Sequence, residues 1–269
     1  MDSQLTNRGR PGGPVAWPCM RHLEAGGRPL DELAEVLAML DAARPSVGPG
    51  RPWVTTNMVM SLDGAFSTEG VSGGLSSGED HELFLAQRSL ADVILVGAST
   101  VRAENYRRPS VSDEAARIRA TRGQEPTPRI VITSKSLCLP DDVPLLHGDP
   151  PAPILAHPAD SDLGNAPRGV ELLEAGTDDV DFELLLRLLS ERGAGHVVCE
   201  GGPGVLGQLA ARGLIDEYML TISPQLVGGE HVGLLAGAEA QDERFALHRV
   251  LRAGDHLMLS YRRPRADSP

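Results

Sequence analysis

No apolar run in this 269-residue chain approaches the ~18 residues that a helical membrane span requires, which excludes that class of protein. Met1 to Gly27 holds Arg, Gly and Pro but lacks the continuous apolar stretch of a secretory signal, so it reads as a mobile leader. Cysteine is scarce. Cys19, Cys138 and Cys199 show no C-x-x-C spacing and no histidine at zinc-like intervals, which argues for free thiols in a reducing cytoplasm and against a metal site. Lysine is scarcer still, with Lys135 alone. The net charge of −12 removes any general attraction for nucleic acid or an anionic membrane surface. An anionic ligand must therefore be held by local donors, which gives the position of that single lysine weight. There is no internal repeat.

What is present has the order of an α/β protein. The expected division is a leader at 1–28, an N-terminal helix and linker at 29–50, the compact domain at 51–264 and a frayed tail at 265–269. Leu30, Leu33, Ala34, Leu37 and Leu40 recur at helical spacing, and the Pro- and Gly-rich stretch from Arg44 to Pro52 ends that helix. Apolar, β-branched runs predict strands at 53–60, 93–97, 129–133, 153–156, 170–173, 196–199 and 217–223. A capping box of Ser76 with Glu79 opens a helix to about Leu90. A short helix starts at Ser99, and a polar, Arg-rich loop then runs to about Gly123. Phe182, Leu185, Leu186 and Leu189 share a face of a helix over 181–192, and another helix covers 204–212. Residues 247–251 and 256–261 read as a closing antiparallel pair. The alternation predicts a three-layer α/β/α fold, with a mostly parallel central sheet and an antiparallel C-terminal edge.

Two strand ends carry the chemistry. Asp92-Val-Ile-Leu-Val-Gly97 runs into Ala98-Ser-Thr-Val-Arg102, and His196-Val-Val-Cys199 runs into Glu200-Gly-Gly-Pro-Gly-Val-Leu-Gly207. Each is a short apolar run, a Gly turn and a helix start. That arrangement aims backbone N–H groups and a helix N-terminus at one point above a sheet, as a phosphate requires. Two such sites in one chain point to a doubly phosphorylated ligand such as a dinucleotide. Gly202 to Gly207 matches G-x-G-x-x-G, but it lies late, and the following strand ends Thr221-Ile-Ser-Pro224 without an acid for the ribose. The standard Rossmann reading is therefore rejected. Glu200 either orients a substrate amine or ring N–H, or caps the Gly loop. Asp63 is a second carboxylate for the cleft, although Asp before Gly is also a common turn pair. Thr133-Ser-Lys-Ser136 either forms an anion site suited to a 2′-phosphate, favouring NADP over NAD, or is an exposed turn.

Ser61-Leu-Asp-Gly64, Val96-Gly-Ala-Ser-Thr-Val-Arg-Ala-Glu104, Ile130-Val-Ile-Thr-Ser134, Glu200-Gly-Gly-Pro203 with Leu206-Gly207, and Asp216-Glu217 followed by Pro224 and Val227-Gly-Gly229 come in one order and at suitable intervals. Together they resemble the reductase domain of the bacterial riboflavin-biosynthesis deaminase/reductase (RibD C-terminal type), in particular its stand-alone actinobacterial branch. The resemblance runs from about Arg51 to Tyr261. It implies a dihydrofolate reductase-like fold, a homodimer and a small-molecule substrate: NADPH-dependent reduction of a phosphorylated ribosylamino-pyrimidine, whose opened ribose forms an imine that takes hydride at C1. It implies cofactor contacts from Gly97, Thr100, Val101, Glu104, Ser134 and Lys135, and from the loop Gly201, Gly202, Pro203, Gly204, Val205, Leu206 and Gly207. It implies substrate contacts from Asn57, Ser61, Arg88, Arg107 and Arg108, with Glu200 and Asp63 at the chemistry. Arg88 either holds a substrate phosphate or complements its helix dipole.

The chain departs from the family pattern in places. Asn57 stands where the family often has lysine, and Ala103-Glu-Asn-Tyr106 where it has Ala-Asp-Asp-Pro. No H-x-E paired with P-C-x-x-C is present, so the deaminase half is missing. Two other functions stay open: a same-fold reductase of dihydrofolate, a pterin or another metabolite, and a nucleotide-binding module without catalysis.

Overall fold

An eleven-stranded sheet runs through the protein. The computed structural model describes residues 20–22, 29–30, 33–43, 50–68, 71–148, 151–230, 233–235 and 242–264. Most of the expected leader, the linker at 44–49 and the tail at 265–269 lie outside the described residues. The strands are β1 (Met20–His22), β2 (Pro29–Leu30), β3 (Trp53–Met60), β4 (Val93–Gly97), β5 (Arg129–Thr133), β6 (Ile154–His157), β7 (Glu171–Glu174), β8 (His196–Cys199), β9 (Glu217–Ile222), β10 (Ala246–Ala253) and β11 (His256–Arg262). Their order across the sheet is β2-β1-β10-β11-β9-β3-β8-β4-β5-β6-β7. From β9 to β7 every neighbouring pair is parallel. The pairings from β9 through β11, β10 and β1 to β2 are antiparallel.

Six helices cover the sheet: α1 (Leu33–Ala42), α2 (Gly78–Leu90), α3 (Ala98–Ala103), α4 (Asp113–Thr121), α5 (Phe182–Glu191) and α6 (Pro203–Ala211). β4 and β6 are buried along their whole length, as strands covered on both faces must be, and this is why they read as unbroken apolar runs. On one face Val54, Leu95, Val131 and Val197 pack against Phe182, Leu185 and Leu189 of α5 and Leu206 and Leu209 of α6. On the other face Ile94, Val96, Ile132 and Val198 pack with Val101, Tyr106, Leu137 and Leu145. A third cluster joins Val36 and Leu37 of α1, Leu83, Ala86 and Leu90 of α2, Ala115 of α4, and Leu251 and Met258 of the antiparallel ribbon.

The predicted strands from 53 onward are all present, within a few residues of the expected bounds. Two helix readings need correction. The segment expected as an Arg-rich loop contains α4, capped by Ser112, whose side chain accepts from the Ala115 N–H. Its periodicity is hidden because a charged residue, Arg119, occupies the inward stripe. The Arg119 side chain is fully buried and donates to the carbonyls of Glu125 (2.8 Å), Ser89 (2.8 Å) and Ala91 (2.5 Å). Two of those carbonyls are at the C-terminal end of α2, where helical C=O groups lack partners and a cation is favoured. The cap of α2 is Ser77, which accepts from the Asp80 N–H, and the Ser76 hydroxyl instead donates to the Asp80 carboxylate at 2.5 Å. Within the segment read as a leader, Met20–His22 pairs with β10. α1 also has its partners, packing on α2 and α4, and Arg122 of the α4 C-cap binds Asp41 at 2.5 Å.

Replacing Arg119 by Met keeps most of the side-chain volume and strips three carbonyls of a donor. Unfolding free energy should fall by about 3 kcal/mol, seen as a lower denaturant midpoint at an unchanged slope.

Candidate active site

β4 and β8 lie side by side, with Leu95 opposite Cys199, and both run out at the same edge of the parallel sheet. The Glu200 N–H donates to the Leu95 carbonyl at 2.9 Å, and the Gly97 N–H donates to the Gly201 carbonyl at 2.8 Å. The two glycine loops are thereby tied together and pack closely. A Cβ on Gly97 would lie 3.1 Å from Val205 Cγ2 and 3.5 Å from the Gly202 nitrogen, and one on Gly202 would lie 2.8 Å from Thr100 Oγ1. Gly201 has φ +86°, in the left-handed region that favours glycine. The Gly201–Gly202 peptide is cis.

The helices that leave these loops differ from the others. Ser77, Ser112 and Asp181 cap α2, α4 and α5 through their side chains. α3 begins at Gly97 and α6 at Gly202, and neither cap supplies a side-chain bond. No side chain caps either start. At α6, Pro203 carries no N–H, and the Val205 and Leu206 N–H groups donate to the Gly202 carbonyl at 3.0 and 3.1 Å, so an anion there would draw on the Gly204 N–H. The Thr133-Ser-Lys-Ser136 segment leaves β5, the strand next to β4, at the same edge. Ser134 Oγ accepts the Leu137 N–H at 3.0 Å, and the exposed Lys135 ammonium donates to the Asp178 carbonyl.

Glu200 follows directly on β8. One residue beyond the Thr56–Cys199 pair, Asn57 of β3 falls beside it. Both side chains keep unused capacity: neither carboxylate oxygen of Glu200 nor Nδ2 of Asn57 has a hydrogen-bond partner. Glu200 therefore does not cap the glycine loop. Arg88 Nε stands 3.0 Å from Glu200 Oε1, though not aligned as a hydrogen bond. Burial pushes the Glu200 carboxyl up to about 7, and the Arg88 charge offsets part of the rise. Burial likewise lifts the neighbouring Cys199 thiol to about 12, which leaves it inert.

Several predicted residues do other work. The Asp63 carboxylate accepts the Ser61 hydroxyl (2.5 Å) and the N–H groups of Val227 (3.2 Å) and Gly228 (2.7 Å), and these bonds hold it well below the usual carboxylate range. Ser61 Oγ also accepts the Ala65 N–H at 2.9 Å. Both residues thus fasten the turn after β3 to the loop after β9. Glu104 Oε1 accepts the N–H and hydroxyl of Ser72, each at 3.0 Å, and so anchors another loop. Val101 and Leu206 are fully buried, so they pack beneath the glycine loops and offer no side chain to a ligand.

The arginine pair is the main correction. Arg108 donates to the carbonyls of Leu145 and Pro151, both at 3.0 Å. Arg107 and Arg108 line a groove with Pro128 and Pro153, the residues that lead into β5 and β6. Arg108 is thereby committed toward the strand starts, whereas Arg107 stays close to the site, its carbonyl 3.5 Å from the Arg88 guanidinium that faces Glu200. The cause lies in the preceding turn, where Asn105 takes φ +47° and the buried Tyr106 anchors the chain in the core. Arg88 is also turned inward. Its guanidinium stands 5.0 Å from the Phe84 ring and 5.1 Å from the Tyr106 ring. The two aromatic partners were not anticipated. Phe84, one helical turn before Arg88, was a readable signal, whereas Tyr106 sits in a loop that gives none.

The comparisons agree with this geometry. Residues 52–259 match the family model described as the RibD C-terminal domain. The chain is 31% identical over 218 residues to the 2,5-diamino-6-ribosylamino-4(3H)-pyrimidinone 5′-phosphate reductase of Methanothermobacter thermautotrophicus, covering 78% of this chain and 98% of that protein. It is 25% identical over 215 residues to the reductase of the same name from Archaeoglobus fulgidus, covering 79% and 98%. Among solved structures, a pyrimidine reductase-like protein from Corynebacterium diphtheriae superposes with a TM-score of 0.75 at 24% identity, over 86% of this chain and 99% of that one. It shares the fold. Relatives that align almost end to end are thus reductases of a phosphorylated pyrimidinone, and the chain belongs to the RibD C-terminal domain family.

Proposed function

We propose that the protein reduces a phosphorylated ribosylamino-pyrimidine with NADPH. The observation that carries this reading is the buried carboxyl of Glu200, which faces Arg88 through Oε1 and has no hydrogen bond on either oxygen, at the sheet edge where α3 and α6 start from glycine loops in mutual contact. Unsatisfied buried polar atoms are costly, and they persist where a ligand completes them. The relatives' printed names supply the substrate class.

The residues present fit a pyridine dinucleotide. Gly204, in the first turn of α6, has open space where a side chain would stand, which leaves bare backbone where a diphosphate needs close access. Gly97, Thr100 and the Gly201–Val205 loop would hold that diphosphate. Lys135 and Ser134, at the end of the adjacent strand, would serve the adenosine side. When bound, the reduced nicotinamide supplies a hydride, and the protein's part is orientation and proton supply.

Reduction of an opened ribosylamine adds hydride to carbon and a proton to nitrogen. With its carboxyl near 7, Glu200 is protonated in part at neutral pH and can give that proton. Asn57 beside it adds an amide N–H for a substrate carbonyl. Asn57 lacks the charge of the lysine found in the resembling family, so dihydrofolate is the competing substrate to run alongside.

Glu200→Gln should lower turnover at least ~100-fold while coenzyme affinity stays within about threefold; unchanged turnover would remove Glu200 from the chemistry. Because its acid form is the donor, turnover of the native protein should fall as pH rises through about 7. Gly97→Ala forces the two loops apart by a few tenths of an ångström, so calorimetry should show roughly tenfold weaker coenzyme binding. Lys135→Ala should weaken NADPH more than NADH, and equal losses would count against a 2′-phosphate contact.

A further inference from the structure

Two consecutive residues of α2 face different surroundings. Arg88 faces Glu200, whereas Gln87 borders a small cavity between the helix and the sheet. Asn57 of β3, Leu83 of α2, Met219 and Thr221 of β9 and Ser260 of β11 also line that cavity. It gives the centre of a water molecule about 10 Å³, the room that one molecule needs. The hydroxyl hydrogens of Thr221 and Ser260 are committed elsewhere, donated at 2.5 Å to Asp80 Oδ1 and Glu217 Oε1. Arg249 of β10, which borders the cavity too, has interactions of its own. Asn57 and Gln87 differ from these. The donor Asn57 Nδ2 and the acceptor Gln87 Oε1 are both buried, and neither has a hydrogen-bond partner among the described residues. The two are complementary, yet they do not bond to each other. Burying either alone carries the full cost of its desolvation. A water between them accepts from the first and donates to the second, which removes both costs at once.

We propose that one buried water joins Asn57 Nδ2 to Gln87 Oε1, and that Gln87 is thereby the positioning residue for the Asn57 carboxamide. The proposal rests on the reading of Asn57 as a substrate contact beside Glu200. An amide nitrogen carries two hydrogens. One goes to the water, and the second N–H and the carbonyl oxygen stay available to a ligand. Gln87 suits the part of anchor because it is itself held. Only 5% of it is exposed, it lies within the last two turns of the thirteen-residue α2, and Arg88 next to it is set against Glu200. Asn57 has no charge to act over a distance, so what it adds to binding depends on where its amide is placed. A carboxamide tied to a packed helix keeps one rotamer. An untied one samples several, and binding must then select among them. Gln87 touches no substrate in this scheme. It acts through the water and Asn57.

The test uses the full chain. A crystal structure of the native protein, at a resolution that shows ordered water, should place one molecule within about 3.2 Å of both atoms. A dry cavity, or a direct bond between the two side chains, overturns the proposal. Gln87→Met removes the acceptor and keeps the length of the side chain. It should raise KM for the phosphorylated pyrimidine about fivefold, with kcat and calorimetric coenzyme affinity each within about twofold of native. In an Asn57→Ala background the same change should leave KM where it is, because the carboxamide it acts through is gone. An unmoved KM in Gln87→Met, equal KM rises in both backgrounds, or a matching loss of coenzyme affinity overturns the proposal. If Gln87→Met loses its cooperative unfolding transition, the native crystal structure decides, since it needs no variant. That arm needs no turnover either. The bridging water in a protein that reduces no pyrimidine defeats the functional reading alone, and turnover without the water defeats the inference alone.

Discussion

A single backbone hydrogen bond, from the Gly97 N–H to the Gly201 carbonyl, governs the layout of this molecule's working edge. It forms because β4 and β8 are neighbours, β4 ending at Gly97 and β8 running through Glu200 into Gly201. A methyl group at Gly97 would lie 3.1 Å from Val205 Cγ2. The starts of α3 and α6 follow from that contact, and so does the alignment of Glu200 between them. A chain with −12 net charge cannot rely on long-range attraction for an anionic coenzyme. The proposed coenzyme site would rely on backbone dipoles brought to one place.

The two carboxylates first considered for the cleft have been driven in opposite directions. Asp63 takes three hydrogen bonds and is held ionised, stitching two loops together. Glu200 takes none and is pushed toward neutrality by burial. Divergence of this kind is what the proposal that Glu200, and not Asp63, serves the chemistry draws on. Hydrogen bonding, not sequence spacing, decides which acid does which.

Much of the architecture was readable because its signals are local. β4 and β8 are short β-branched runs, and the glycine loops announce themselves just beyond them. The family resemblance, carried by motifs from Ser61 to Gly229, gave the fold and the class of reaction. Other features depend on contacts distant in sequence. α4 was hidden because Arg119 fills an inward position with a charge whose partners are carbonyls 28 and 30 residues away. Ser76 and Ser77 are equivalent by pattern, and only the backbone decides which one caps. Arg108 looks like a phosphate ligand until its guanidinium is seen to hold the carbonyls of Leu145 and Pro151. The contact of Arg88 with Phe84 is visible as an i, i+4 pair on α2, whereas its contact with Tyr106, from the loop after α3, leaves no trace in spacing.

The family match spans 52–259, yet the cooperative unit is larger. Leu37 and Val36 of α1 have no exposed surface and pack with α2, α4 and the antiparallel ribbon. At the other end Arg262 binds Glu217 at 3.0 Å and the carbonyl of Ala43 at 2.6 Å, so one side chain bridges both flanks of the matched region. A fragment excised at the limits of similarity would bare an apolar seam and unhook that bridge. In this protein, ancestry and burial draw different borders, and burial defines the piece that can stand alone.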